Sequence, residues 1–190
     1  MNILRWGLMR RLRRGNKLML FPTFRCNLTC SYCSIGYLGK RAESTEIGLD
    51  DWKYLVRSFP IKLREIRISG GEPMLMPYYS ELINWLLDQG LYVMVFTNLS
   101  VLKLDVNRSR RLIYMATYHR CSNVKKFQKN LKEYRKKYRV EVHQIGQEKI
   151  RGVSVGLECG LEYGYTCVGF MYDPAGNLHT GFMSLIGDTE

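Results

Sequence analysis

Leu91-Tyr-Val-Met-Val-Phe-Thr97 is an unbroken run of β-prone residues between Gly90 and Asn98. A strand apolar on both faces has to be covered on both, as strands of a parallel sheet are. Four more runs read as strands: Lys17–Phe24, Leu63–Ser69, Leu112–Tyr118 and Val140–Ile145. Helices are predicted between them. One is capped by Asp50 or Asp51, runs through Trp52, Leu55 and Val56 to Ser58, and is closed by Pro60. The next starts at Pro77, places Leu82, Ile83, Leu86 and Leu87 at helical spacing, and stops at Gly90. The third runs from Asn123 to Tyr138 with Val124, Phe127, Leu131 and Tyr134 on one face. Residues 99–111 read as irregular. Strands alternating with helices make βαβ units, so the expected fold class is α/β with a parallel sheet.

From Arg151 the character changes, with Gly152, Gly156, Gly160, Gly164 and Gly169 punctuating short strand-like pieces. Asp173-Pro-Ala-Gly-Asn177 is a turn signal between Val168–Tyr172 and Leu178–Phe182, which predicts a β-hairpin. The expected organisation is a basic arm over 1–16, a core domain over 17–150 and a C-terminal extension over 151–190.

At 190 residues one domain is the natural reading, and 46% hydrophobic residues suffice for a packed core. The longest apolar stretches are under ten residues, against the roughly 20 that a spanning helix needs. The N-terminal segment has no apolar stretch of the signal-peptide kind. A soluble, cytoplasmic protein is expected. The segment could also lie on a membrane surface as a short basic amphipathic piece, but an arm packed across the domain is the simpler reading.

The net charge of +12 is concentrated. Residues 1–17 hold six Lys/Arg and no acid, and residues 120–139 hold nine against Glu133 alone, which leaves the rest of the chain slightly acidic. Two such patches suit an anionic partner, whether nucleic acid, a membrane surface or an acidic leader peptide. A solvated helix face would look the same from sequence.

Of the six cysteines, Cys26, Cys30 and Cys33 fall within eight residues directly after the first strand. That crowding is poor for a disulfide framework and good for a metal site. Iron–sulfur clusters ordinarily take four cysteines, so three either borrow a remote ligand or leave one iron open to a small molecule. A zinc site completed by His119 or His143 is the alternative. GxGxxG and P-loop patterns are absent.

Cys26-Asn-Leu-Thr-Cys30-Ser-Tyr-Cys33 resembles the CxxxCxxC signature of the radical S-adenosylmethionine (SAM) superfamily, including the aromatic Tyr32 before the last cysteine. Gly70-Gly-Glu-Pro73, ending the second strand, resembles that family's GGEP motif. The resemblance implies a partial, open (β/α)5–6 TIM-like barrel with a short C-terminal β-hairpin extension. It implies that Cys26, Cys30 and Cys33 hold a [4Fe–4S] cluster and that SAM lies in the mouth at the strands' C-terminal ends. Tyr32 would pack near the adenine. Gly70 and Gly71 would let backbone approach the ligand, Glu72 would face the methionine ammonium group and Pro73 would fix the turn.

Thr97-Asn98 is similar to the family's TNG, with Leu99 in place of the glycine. Thr117 stands where many members have a ribose-contacting hydroxyl, and His119 would contact cofactor or substrate, or orient its loop. Cys159, Cys167 and the segment 172–179 resemble the start of a SPASM or twitch extension. Thr180 stands near its second cysteine, so an auxiliary cluster is not expected. Cys121, Cys159 and Cys167 are read as small buried hydrophobes.

The resemblance implies a radical SAM enzyme that cleaves SAM reductively to a 5′-deoxyadenosyl radical and abstracts hydrogen from a peptide or protein. Flavodoxin or ferredoxin would be the electron donor. The rival expectation is a non-catalytic iron–sulfur or zinc module that binds nucleic acid through its basic patches. An eight-unit barrel takes about 250 residues, so residues 17–146 hold four to five units, and a sixth strand has to come from the tail.

Overall fold

The structure is a computed structural model that describes residues 16–31, 33, 46–144, 154–155 and 171–179. Its centre is five parallel strands: β1 (Lys17–Leu20), β2 (Glu65–Ile68), β3 (Tyr92–Thr97), β4 (Leu112–Tyr118) and β5 (Arg139–Gln144). They lie side by side in chain order. β6 (Ser154–Val155) extends the sheet beyond β5, and β7 (Met171–Tyr172) pairs in parallel with the outer edge of β1. β8 (Leu178–His179) returns antiparallel to β7, so the hairpin predicted around Asp173–Asn177 forms with shorter arms. Among the described strands the sheet stays open, with β6 and β8 at its two edges. The tail thus supplies a sixth parallel strand on one edge and a hairpin on the other.

Three helices connect the strands: α1 (Leu49–Ser58), α2 (Tyr79–Asp88) and α3 (Val124–Lys137). The N-cap of α1 is Gly48 rather than Asp50 or Asp51, because Asp51 lies inside the first turn and reaches back to accept the Gly48 N–H at 3.1 Å. One residue, Tyr78, separates Pro77 from the start of α2. Asn123 caps α3, its side chain accepting the Lys126 N–H at 3.0 Å, and Phe127, Asn130, Leu131 and Tyr134 face inward, whereas Val124 is exposed. As expected, no helix joins β3 to β4.

β1 stops four residues short of the predicted Phe24. Pro22 has no N–H to give to the ladder, and residues 21–25 instead run along the exit of β2. Alternation puts Leu18, Leu20, Ile66, Ile68, Val93, Val95, Tyr114 and Ala116 on one face, where they join Trp52, Leu82, Leu86, Phe127 and Leu131 in the core. The opposite face carries Met19, Met94 and Met115 and an ion-paired row in which Lys17 Nζ lies 3.5 Å and Arg67 Nε 2.7 Å from the Glu65 carboxylate.

Leu99, in the position of the TNG glycine, has φ of 53° and no exposed surface. The left-handed conformation costs a leucine about 1–2 kcal/mol. The Leu99 N–H donates to Thr97 Oγ1 at 3.0 Å, and its carbonyl accepts from the buried Asn130 Nδ2 at 2.7 Å. Leu99→Gly relieves the strain but empties a leucine-sized space, a loss of about 2–5 kcal/mol. The variant is therefore expected to be less stable by about 2 kcal/mol, read as a lower urea midpoint. Equal or greater stability would mean that the backbone strain outweighs the packing.

Candidate functional site

All five central strands point the same way, so their C-terminal ends form one edge, and the predicted site residues follow those ends. Cys26, Cys30 and Cys33 lie on the segment after β1, Gly70–Pro73 after β2, Asn98 after β3, and Thr117 and His119 at and after the end of β4. Tyr32, Cys159, Cys167 and Thr180 lie outside the described residues.

The β1 exit and the β2 exit are laced together. Gly71 N donates to Thr23 O at 3.0 Å and Glu72 N to Arg25 O at 2.8 Å. A Cβ on Gly70 would stand 2.2 Å from Thr23 O, and one on Gly71 2.1 Å from Arg25 O. Gly70 also has φ of 129°, a conformation open to glycine alone without strain. The two glycines therefore make room for this chain's own carbonyls. Below them, Glu46 clasps the β1 exit: Arg25 Nε and Nη2 reach its carboxylate at 3.0 and 2.8 Å, and the Thr23 hydroxyl donates to it as well.

Glu72 has no exposed surface. Its Oε1 accepts the Met74 N–H at 3.1 Å and the Thr97 hydroxyl at 2.9 Å, and its Oε2 accepts the Asn98 N–H at 2.8 Å. It also caps the 3-10 turn Pro73–Leu75, which Pro73 opens. Burial pushes its carboxyl up to about 7, against the hydrogen bonds that favour the anion. Asn98 in turn extends its side-chain amide toward Asn27 Oδ1 at 3.1 Å and Cys26 Sγ at 3.8 Å, and Asn27 is tied to Ser100. Glu72 and Asn98 thus connect three strand ends to the cysteine loop.

Cys26, Cys30 and Cys33 are half-buried, with the Cys33 N–H donating to Cys30 O at 3.1 Å. Burial first, then the charge of Glu72 and the neighbouring Cys33 and Cys121, raises the Cys26 thiol. Cys121 differs from its expected place in the core. It is exposed, and its Sγ lies 3.0 Å from Cys30 Sγ. The turn after β4, in which Ser122 N donates to His119 O at 2.8 Å, carries it to the cysteine loop.

Thr117 is half-buried and is the register partner of His143 on β5. Burial pushes His119 down to about 4, so its ring is neutral at physiological pH. Thr97, which braces Glu72, was read from sequence only as part of Thr97-Asn98, and Glu46, which braces the β1 exit, was not singled out. A hydroxyl and a carboxylate become visible as braces only when the strands are side by side.

At the opposite edge, where β4 and β5 begin, Arg108, Arg110, Arg135, Lys136, Lys137 and Arg139 line a concavity of about 650 Å³. Lys136 pairs with Glu133 and Arg139 with Glu141, and Lys137 donates to Leu104 O. Arg108, Arg110 and Arg135 have no carboxylate partner among the described residues.

The family model of the Radical SAM superfamily matches residues 20–153, from β1 to the segment before β6. The chain belongs to the radical SAM superfamily. With membership come the family's cofactors, a [4Fe–4S] cluster and SAM. The donor chemistry fits: three thiols on one loop, beside a buried carboxylate and a strand-end amide, at the sheet edge where parallel α/β folds gather ligands. A Methanocaldococcus jannaschii protein named as a glycyl-radical enzyme activating enzyme is 40% identical over 76 residues, covering 40% of this chain and 29% of that protein. The S-adenosylmethionine-dependent nucleotide dehydratase of Selenomonas ruminantium is 27% identical over 88 residues, 45% of this chain and 31% of its own length. The matches thus span under a third of those relatives. Among solved structures, Streptococcus suis SuiB bound to its precursor peptide SuiA has a TM-score of 0.58 at 15% identity, covering 77% of this chain and 37% of SuiB. The likeness is one of fold. Among the described residues no helix is long and apolar enough to cross a membrane.

The Glu72 carboxyl holds its proton to about pH 7 when folded, against about 4.5 when exposed. The folded state therefore binds this proton more tightly, and its stabilising effect is full below pH 4.5 and lost as pH rises through 7. In urea denaturation of the cluster-free chain, wild type should gain stability relative to Glu72→Gln as pH falls from 8 to 5. A difference independent of pH would mean that Glu72 keeps an ordinary carboxylate affinity.

Proposed function

We propose that this chain is a radical SAM enzyme in which Cys26, Cys30 and Cys33 hold the cluster and the strand ends of β2 to β4 hold SAM. The observation that carries this reading is the convergence of the three thiols with Gly70–Glu72, Asn98, Thr117 and His119 along one sheet edge. A cluster and SAM held there by Cys26, Cys30, Cys33 and the strand ends would supply one-electron reductive cleavage of SAM and, through it, hydrogen abstraction from a substrate. The rest of the chemistry is positioning.

Glu72, braced by Thr97 and Asn98, keeps the β2 and β3 exits at fixed separation, so the main chain from Gly70 to Glu72 presents a rigid rim to the methionine end. Pro73 stiffens the turn beneath it. Asn98, tied to Asn27 and leaning on Cys26, orients the cysteine loop. Tyr32 would pack on the adenine, Thr117 would offer its hydroxyl to the ribose, and His119, neutral at physiological pH, would accept a hydrogen bond without placing a positive charge beside the sulfonium.

The substrate we propose is a peptide or protein. Among the described strands the sheet stays open, which would leave room for a macromolecule, and the peptide-bound SuiB shares this fold. The basic concavity at the far edge would hold an acidic segment of that partner. It lies at the strands' N-terminal ends, away from the cysteine loop, so the electron donor, a flavodoxin or ferredoxin, would dock at the other edge. A reducing cytoplasmic setting suits the thiols. The arm over 1–16 and the extension over 151–190 flank the core over 17–150 in this reading. The second reading, a non-catalytic iron–sulfur or zinc module that binds nucleic acid, draws on the three arginines without a carboxylate partner. Salt-sensitive RNA or DNA binding without SAM turnover would favour it.

Anaerobic reconstitution with iron and sulfide, followed by assay for 5′-deoxyadenosine, tests the main reading. Serine at Cys26, Cys30 or Cys33 should reduce the product to background in each variant. Undiminished product in all three would overturn the assignment.

A further inference from the structure

Cys121 is exposed and far from Cys30 in sequence, yet the two sulfurs are 3.0 Å apart. A disulfide sets its sulfurs at about 2.05 Å, so a movement of about 1 Å would join them. The Cys26 sulfur instead meets the Leu28 N–H at 3.5 Å and the Asn98 amide at 3.8 Å. The two sulfurs sit on different supports, Cys30 on the loop after β1 and Cys121 on the turn after β4. A bond between them would tie together two strand ends that have β2 and β3 between them.

We propose that Cys30 and Cys121 form a reversible disulfide when the cluster-free chain meets an oxidant, and that this bond withholds Cys30 from the cluster. The oxidant is a low-molecular-weight disulfide such as oxidised glutathione. The exposed Cys121 thiolate attacks it, forming a mixed disulfide and releasing one glutathione thiol. The Cys30 thiolate then attacks the Cys121 sulfur and releases the second. Two protein thiols have lost two electrons and two protons, and one glutathione disulfide has gained them as two thiols. A reducing dithiol reverses the exchange and returns Cys30 to the donor set. The bond itself follows from the sulfur geometry alone, whereas its effect on cluster assembly rests on the proposed function.

The experiment uses the full chain, freed of iron, incubated anaerobically with oxidised glutathione. Free thiols are then alkylated, and digested peptides are mapped by mass. The peptides that contain Cys30 and Cys121 should appear joined, lighter by two hydrogens, with Cys26 and Cys33 alkylated. Subsequent reconstitution should load several-fold less iron than the dithiothreitol-treated control, and dithiothreitol should restore loading. Cys121→Ser, treated in parallel, should keep its iron uptake. A bond from Cys30 to Cys26 or Cys33, a mixed disulfide that never resolves, or equal loss of iron in Cys121→Ser would overturn the proposal. A mapped Cys30–Cys121 bond in a chain that takes up no iron even when reduced would leave the disulfide standing and sink the cluster assignment instead.

Discussion

A carboxylate with no exposed surface lies between the exits of β2 and β3, and the geometry of the site edge hangs from it. Glu72 accepts from Met74 N, Thr97 Oγ1 and Asn98 N, and its own N–H donates to Arg25 O on the β1 exit. Three neighbouring strand ends are thereby referred to one residue, two through its carboxylate and one through its main-chain N–H. Burying a carboxyl is expensive, on the order of 3 kcal/mol if it is to be ionised at neutral pH with its affinity pushed up to about 7. The hydrogen bonds offset part of this by saturating the carboxylate. What the chain obtains is a rim whose parts cannot drift independently, and the cysteine loop is linked to that rim through Asn98.

The repeating strand and helix pattern was legible because each central strand is a compact apolar run, and each helix has a buried stripe that recurs every three or four residues. Leu91–Thr97 and the β3 of the structure differ by one residue. Boundaries were lost where a single residue overrode the pattern. Pro22 ended β1 early by lacking a donor, and Asp51 moved inside α1 because its carboxylate caps Gly48 from the first turn. The three loop cysteines and Gly70–Pro73 were readable as local motifs. Cys121 was not, since its neighbour is 91 residues away and its significance exists only once β1 and β4 belong to one sheet. The glycines were identified as positions of close backbone approach, and in the structure Thr23 O and Arg25 O stand where their Cβ atoms would be.

A parallel sheet has two chemically different edges, and this chain uses them differently. The C-terminal edge gathers thiols, amides, one buried carboxyl and a neutral imidazole, all groups that act at short range. The N-terminal edge gathers six cations around an open concavity, where attraction acts over several ångströms and tolerates a partner that arrives loosely. Lys136 and Lys137 also answer the partial negative charge at the end of α3, so the patch has a helix-stabilising share. Arg108 and Arg110, which have no carboxylate partner among the described residues, lie outside α3 and take no part in that share.

β7 has a consequence for the order in which the molecule is made. β1 is the first central strand in the chain, yet its outer edge is closed by a strand about 150 residues later, where Phe21 N donates to Tyr172 O at 2.9 Å. The same hairpin region accepts the Ile47 N–H at Pro174 O, which pins the segment just after the cysteine loop. At about 5–20 residues per second of synthesis, the loop waits roughly 8–30 s, after β1 has emerged, for the residues that hold it. During that interval the β1 edge is open and the three thiols are only partly framed. The interval before the hairpin is delivered is when the nascent chain is most exposed to oxidants and to pairing with a foreign strand.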